Sequence, residues 1–70
     1  MISKEQIAEL FRLYSEFHGA LDPFASDVLK SEEAFYQLLR SLHATHAPDM
    51  SFQDFRRYAM RQCKLYLRNN

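Results

Sequence analysis

Glycine is almost absent from this chain of 70 residues, which contains one glycine, two prolines, one cysteine and no tryptophan. Domains built from β-strands need a turn glycine about every ten residues, so the lack of glycine argues against them. The lone cysteine, Cys63, excludes an intrachain disulfide framework and fits a reducing compartment such as the cytoplasm. No apolar run exceeds three residues, whereas a membrane span needs about 18.

Aromatic residues, in contrast, are plentiful, with six Phe and four Tyr. Disordered chains lack aromatic residues, so this composition predicts a folded protein, and the length predicts a single domain over residues 1–70. A chain this short buries only about 60% of the surface that its unfolded form exposes. Self-association would bury additional apolar surface, and we therefore expect it.

The first helical segment begins with a capping box, in which Ser3 is the N-cap and Gln6 lies three residues later. Apolar residues then recur at alternating steps of three and four, as they do on one face of a helix. These residues are Ile7, Leu10, Tyr14, Phe17 and Leu21. Gly19 can adopt the left-handed conformation that often follows a helix. The pattern predicts a helix over residues 4–18.

The second segment begins at Asp22-Pro23, because Asp is a favoured N-cap and Pro a favoured first helical residue. Its apolar stripe consists of Phe24, Val28, Phe35, Leu38 and Leu42. Two interpretations are compatible with this stripe. Either one helix spans residues 23–45, or a short helix ends near Lys30 and Ser31 caps a new one. The bundle has three helices in the first case and four in the second.

The last helical segment follows a predicted loop over residues 47–50 and starts at Ser51, a favoured N-cap. Its apolar face consists of Phe52, Phe55, Ala59, Cys63 and Tyr66. Each of the three segments thus has one apolar stripe, and a bundle would bury the three stripes against each other. The sequence predicts an all-α fold, a small three-helix bundle.

The outer face of this last segment is basic. The cations in a narrow arc opposite its apolar face are Arg57, Arg61, Lys64 and Arg68. Residues 52–70 carry five positive charges and one negative charge, whereas the rest of the chain carries four positive and eight negative charges. A matching acidic stripe on the first segment consists of Glu5, Glu9 and Glu16. Although the net charge is zero, the positive and negative charges are therefore concentrated in different parts of the chain.

Two interpretations of the basic stripe remain open. It is either a phosphate-binding surface flanked by Tyr58 and Leu65, or an ordinary solvated face whose cations suit the helix dipole. Dedicated nucleic-acid binders are usually net basic, which this chain is not. The candidate partner-binding residues are Arg57, Tyr58, Arg61, Lys64, Leu65 and Arg68.

Motifs for catalysis are not found. The chain has no Gly-x-Ser-x-Gly elbow, no glycine-rich phosphate loop and no His-Glu-x-x-His motif. His43 and His46 are three residues apart, but closed zinc sites show paired Cys or His spacings that are missing here. At the end of a helix both imidazoles are favourable without a metal. We expect no enzyme, no catalytic residue, no metal and no cofactor.

Two segments resemble the helices of an EF-hand. Residues 6–11 resemble the entering helix, and residues 50–55 resemble the end of the calcium loop and the start of the exit helix. The resemblance would place the loop at residues 43–54, with Ala47 at an oxygen-ligand position and Pro48 at the glycine position. These residues do not suit calcium, so we interpret both segments as generic amphipathic helices.

The function that these patterns favour is that of a small, non-catalytic interaction or regulatory module in the cytoplasm, away from membranes. Its expected partner is a second copy, giving a homodimer, or another protein. Apolar residues outside the stripes, among them Tyr58 and Leu65, would supply a docking patch. The alternative is a small nucleic-acid-binding regulator that uses the basic face of the last helix.

Overall fold

Three helices make up the protein, as shown by a computed structural model that describes residues 2–68. Helix α1 spans Lys4–Phe17, α2 spans Ser26–His46 and α3 spans Phe52–Arg68. The described residues contain no strand, and each helix packs against both others. The predicted all-α fold and three-helix bundle are confirmed, while the two ends of the predicted 1–70 domain lie outside the described residues.

Helix α1 begins and ends within one residue of its predicted bounds. The Ser3 hydroxyl accepts a hydrogen bond of 3.2 Å from the Gln6 amide, and the Gln6 side chain accepts one of 3.0 Å from the Ser3 amide. Both bonds of this capping box satisfy amides that have no partner within the helix. Beyond Phe17, Gly19 adopts a φ of 77°, and the chain leaves the helix without a Cβ clash.

The start of α2 differs from the prediction. Asp22 and Pro23 lie in a turn before the helix, where Oδ1 of Asp22 accepts a hydrogen bond of 3.1 Å from the Phe24 amide. This Asx turn uses the side chain that would otherwise cap a helix. The helix begins instead at Ser26, and its N-cap, Ala25, makes no side-chain cap bond.

Helix α2 is unbroken over its 21 residues. The Ser31 hydroxyl donates a hydrogen bond of 2.6 Å to Oε1 of Glu16 on α1, and it does not cap a new helix. The single-helix interpretation is therefore confirmed, although the helix begins at residue 26 instead of 23. The four-helix alternative is wrong, because no break occurs near Ser31.

The connection to α3 follows the prediction. The Ser51 hydroxyl accepts a hydrogen bond of 3.1 Å from the Asp54 amide and caps the helix. The His43 ring donates through Nε2 to the Met50 carbonyl at 2.5 Å, which ties the end of α2 to the connecting loop. His43 and His46 both lie in the last turn of α2, where the helix dipole favours them.

The core lies where the three apolar stripes meet. Its largest fully buried side chains are Phe35, Phe55, Leu10 and Leu39. The centroid of the Phe35 ring is 5.7 Å from that of Tyr14 and 5.4 Å from that of Phe17, distances typical of favourable aromatic pairs. Helix α3 buries Phe55, Ala59 and Cys63, three residues of its predicted apolar face.

Two residues that the apolar patterns assign to the core lie on the surface. Leu21 is fully exposed and Phe24 is 82% exposed, because both lie in the turn between α1 and α2. The helical period applies only within a helix, and α1 ends at Phe17, four residues before Leu21. Leu13, which lies outside the predicted stripe of α1, is buried instead.

Candidate functional site

The predicted basic stripe is exposed along α3. Its four cations are Arg57, Arg61, Lys64 and Arg68. Nη1 of Arg57 lies 3.7 Å from Oδ1 of Asp54, a long contact. The other three cations have no ion-pair partner among residues 2–68. This face of α3 therefore presents positive charge that the described part of the fold does not neutralise.

The acidic stripe of α1 is partly neutralised by one arginine. Arg12 forms ion pairs with Glu9 and with Glu16, and Nη1 of Arg12 is 2.6 Å from Oε2 of Glu16. The hydrogen bond and charge of Glu9, together with Glu16, hold the pKa of the Arg12 guanidinium above its usual range. Ion pairs this exposed contribute little to stability. Their consequence here is electrostatic, because Arg12 offsets one of the two negative charges of Glu9 and Glu16, whereas Arg61, Lys64 and Arg68 are not offset within residues 2–68.

A groove runs between α1 and α3, and its basic end is a hollow of about 450 Å³ that opens to solvent. The residues that line this end are Tyr14, Arg56, Arg57, Met60, Arg61 and Lys64. The α3 residues among them are one or three positions apart in succession, so they lie along one side of the helix. Arg56 is also held toward α2, where its Nη2 donates to the Tyr36 hydroxyl at 3.3 Å.

The apolar end of the same groove is a hollow of about 270 Å³. The two ends share Tyr14, Met60 and Lys64. The apolar end adds Phe11 from α1, His18 directly after α1, and Cys63 and Leu67 from α3. We call the two hollows together the α1/α3 groove. A ligand in it would contact an apolar wall at one end and unpaired cations at the other.

Two side chains shape the apolar end. The His18 ring stacks on the Tyr14 ring, with centroids 4.5 Å apart and planes 18° apart, so that the groove has an aromatic rim. Cys63 is buried at its floor, and burial raises the pKa of its thiol. A neutral thiol behaves as a small apolar group. The chemistry of this end is therefore recognition of apolar groups.

The structure groups only part of the predicted partner-binding set. Arg57, Arg61 and Lys64 line the α1/α3 groove. Tyr58 and Leu65 lie on the opposite flank of the basic stripe, about 40–60° around α3 from Arg61. Tyr58 is half-buried beside the Phe55 ring, at a centroid distance of 6.0 Å, while Leu65 is 43% exposed.

Arg68 lies in the last turn of α3, outside the residues that line the groove. The predicted partner-binding set does not include Tyr14 and Met60, which form the middle of the groove. Tyr14 was assigned to the core stripe of α1. The sequence signal that indicates an apolar wall beside the basic stripe is Met60, which directly precedes Arg61.

A second exposed feature is the turn at residues 21–24, which we call the 21–24 loop. Its two large apolar side chains, Leu21 and Phe24, project into solvent. The carboxylates of Asp22 and Asp27, in and just after the loop, are also exposed. The loop thus combines apolar groups with negative charge, whereas the groove combines apolar groups with positive charge.

Among residues 2–68, no three His, Cys, Asp or Glu side chains come together in a way that would hold a metal ion. One of the two histidines that end α2, His43, uses its Nε2 on the Met50 carbonyl. Over the same residues, none of the helices has the length and apolar character that crossing a membrane requires.

Comparison of the chain with protein families, with curated proteins and with solved structures finds no match. The function is therefore inferred from the α1/α3 groove, the 21–24 loop and their charges.

Proposed function

We propose that this protein is a small, non-catalytic protein-interaction module of the cytoplasm, which binds an acidic, apolar segment of a partner in the α1/α3 groove. The observation that supports this proposal is the continuity between the apolar end of the groove and its basic end through Tyr14, Met60 and Lys64. Grooves of this kind, between two helices, are a recurring docking site for amphipathic helices.

The two ends of the groove have different roles in this proposal. The apolar end supplies affinity, because it removes the exposed surface of Met60, Leu67 and the partner's apolar side chains from water. Arg61 and Lys64 orient the partner and raise the association rate, as complementary charges do at the rim of an interface. The partner's acidic residues therefore lie next to its apolar anchors, on the side facing Arg57.

A designed helix tests this function directly. The probe is a helical peptide of about 14 residues with Leu at positions i, i+3 and i+7 and three Glu residues at one end. Titrated into the isotope-labelled protein, it is expected to shift the NMR signals of Tyr14, Met60 and Lys64. A control peptide with Lys in place of Glu is expected not to bind, because it meets like charges.

Protein variants complete the test. Arg61→Glu together with Lys64→Glu is expected to weaken binding of the acidic peptide at least about tenfold and to leave stability almost unchanged, because both side chains are exposed. Arg68→Glu is the matched control, since it reverses an exposed cation outside the groove lining. Equal loss of binding in both variants, or equal binding of both peptides, would contradict the proposal.

Nucleic acid is the second candidate partner, and the unpaired state of Arg61, Lys64 and Arg68 is the observation that favours it. Phosphate binding would use the three cations together and would weaken with salt, with a log–log slope near −0.9 per phosphate contact on duplex DNA. Docking of an apolar helix depends far less on salt. Binding of a duplex by wild-type protein, lost equally in Arg68→Glu and in the groove variant, would favour this candidate.

A further inference from the structure

The 21–24 loop exposes more apolar surface than its position in the fold explains. Leu21 is fully exposed and Phe24 is 82% exposed, although neither side chain has a polar group that would need a hydrogen-bond partner if it were buried. Contiguous exposed apolar groups on a small domain commonly mark a surface that another molecule covers. The acidic side chains of Asp22 and Asp27 flank these two residues.

We propose that the occupant of the α1/α3 groove is the 21–24 loop of a second copy of this chain. This inference rests on the proposed function, because it uses the same groove. Leu21 and Phe24 of that copy would fill the apolar end, beside Met60 and Leu67 of the first copy. Asp22 and Asp27 would face its cations.

Charge complementarity is the first argument for this occupant. Arg61 and Lys64 have no ion-pair partner within residues 2–68, and neither do Asp22 and Asp27. On the outer face of α1, in contrast, Arg12 already pairs with Glu9 and with Glu16. Association of two copies through the loop and the groove would therefore bring unpaired carboxylates next to unpaired cations.

The position of the loop is the second argument. His18, on the rim of the groove, lies three residues before Leu21. The donor loop therefore begins within three residues of the acceptor groove. A two-fold pair requires this arrangement, because each copy must offer both elements to the other across one axis.

The loop is also ordered before it binds. The Asp22 carboxylate accepts the Phe24 amide at 3.1 Å, the Ala25 amide donates to the Asp22 carbonyl at 3.2 Å, and Pro23 restricts its own φ. A segment held in this way loses little conformational entropy on docking. Because the 21–24 loop already has its structure in the monomer, two folded chains can associate without exchanging helices.

The test is the mass of the full chain in sedimentation equilibrium, over concentrations up to about 1 mM, in which weak dimers still form. The loop variant is Leu21→Ser with Phe24→Ser, and the groove variant is Arg61→Glu with Lys64→Glu. The wild-type chain is expected to dimerise, and each variant alone is expected to dimerise at least about tenfold more weakly. Circular dichroism of each variant establishes that it is folded.

A mixture of the two variants distinguishes this proposal from a general loss of association. The loop variant keeps an intact groove and the groove variant keeps an intact loop, so an equimolar mixture is expected to recover a heterodimer through one loop–groove contact. Leu65→Ser is the matched control, because it removes an exposed leucine on the other flank of α3. It is expected to dimerise as the wild type does.

Each other outcome overturns the inference. If the wild-type chain stays monomeric, its 21–24 loop does not bind in the groove of a second copy. Binding of the designed peptide then tests the proposed function separately. A loop variant that still dimerises, beside a groove variant that does not, shows that the groove is an interface with a different occupant. Failure of the mixture to associate, or loss of the dimer in Leu65→Ser, shows that the contact lies elsewhere.

Discussion

The hydroxyl of Ser31 lies 2.6 Å from Oε1 of Glu16 and donates a hydrogen bond to it. The bond joins α2 to α1 on the exposed side of the bundle, between residues 15 positions apart in the sequence. Ser is common both at helix starts and in side-chain hydrogen bonds between elements. This partner shows which of the two roles Ser31 has in this protein.

Replacing Ser31 is expected to weaken the contact between α1 and α2 without breaking α2. Ser31→Ala should lower the free energy of unfolding by about 0.5–1.5 kcal/mol, the net contribution of one hydrogen bond. Ser41→Ala, on an exposed position of the same helix, should change it by less than about 0.5 kcal/mol. Urea denaturation measures both, and loss of amide protection at residues 26–30 in Ser31→Ala would contradict this role.

Two phenylalanines provide a matched pair for the core and the surface. Phe55→Ala should cost about 3–5 kcal/mol, because Phe55 is completely buried and its removal leaves a cavity. A loss of that size unfolds a large fraction of a small domain. Phe24→Ala should cost less than about 0.5 kcal/mol in the monomer, since its ring is in solvent. Thermal denaturation at low concentration measures both, and similar costs would show that Phe24 is part of the core.

Gly19 is the residue whose backbone requires glycine. Its φ of 77° lies in the left-handed region, and a Cβ added there would meet no atom within 4 Å. Gly19→Ala is therefore expected to cost about 1–2 kcal/mol from backbone strain alone. Gly19→Asn should cost less, because Asn adopts this conformation more readily. Equal stability of Gly19→Ala and the wild type in urea denaturation would contradict the strain argument.

The thiol of Cys63 is expected to react slowly in the folded protein. Burial raises its pKa, so fewer thiolates are present at a given pH, and the thiolate is the reactive form. Alkylation should be slow at pH 8 and fast in denaturant, as followed by mass spectrometry. A pKa raised by folding means that this group stabilises the fold below the ordinary thiol pKa, and that the stabilisation is lost as the pH rises through the folded value. Rapid alkylation of native protein would contradict the burial.

Local signals in the sequence predicted helix ends correctly where the end depends only on residues a few positions apart. Ser3 with Gln6, Gly19 and Ser51 each act through hydrogen bonds or dihedral angles within a few residues. The start of α2 was predicted wrongly because the local signal there is ambiguous. Asp22-Pro23 is compatible with both a helix start and a turn, and only the packing of α2 against α1 selects between them.

The candidate site shows the same division. The basic stripe of α3 follows from the helical period, so that Arg57, Arg61 and Lys64 were predicted to share one face. The groove depends on how closely α1 approaches that face, and no pattern within α3 contains this information. For this reason Tyr14 and Met60 were not predicted to bind the partner together with the basic stripe. Tyr58 and Leu65 were predicted to do so, but they lie on the flank of the stripe that faces away from the groove.

By itself, the sequence determined the all-α fold, the caps that begin α1 and α3, an apolar stripe on each helix and a segregated charge. These features depend on contacts between residues a few positions apart, where residue type and spacing are sufficient. Only the tertiary structure decided that α2 is continuous from Ser26, that Leu21 and Phe24 are exposed, and that α1 and α3 enclose a groove. Those features depend on the relative placement of whole helices, which is set by the simultaneous burial of side chains from all three.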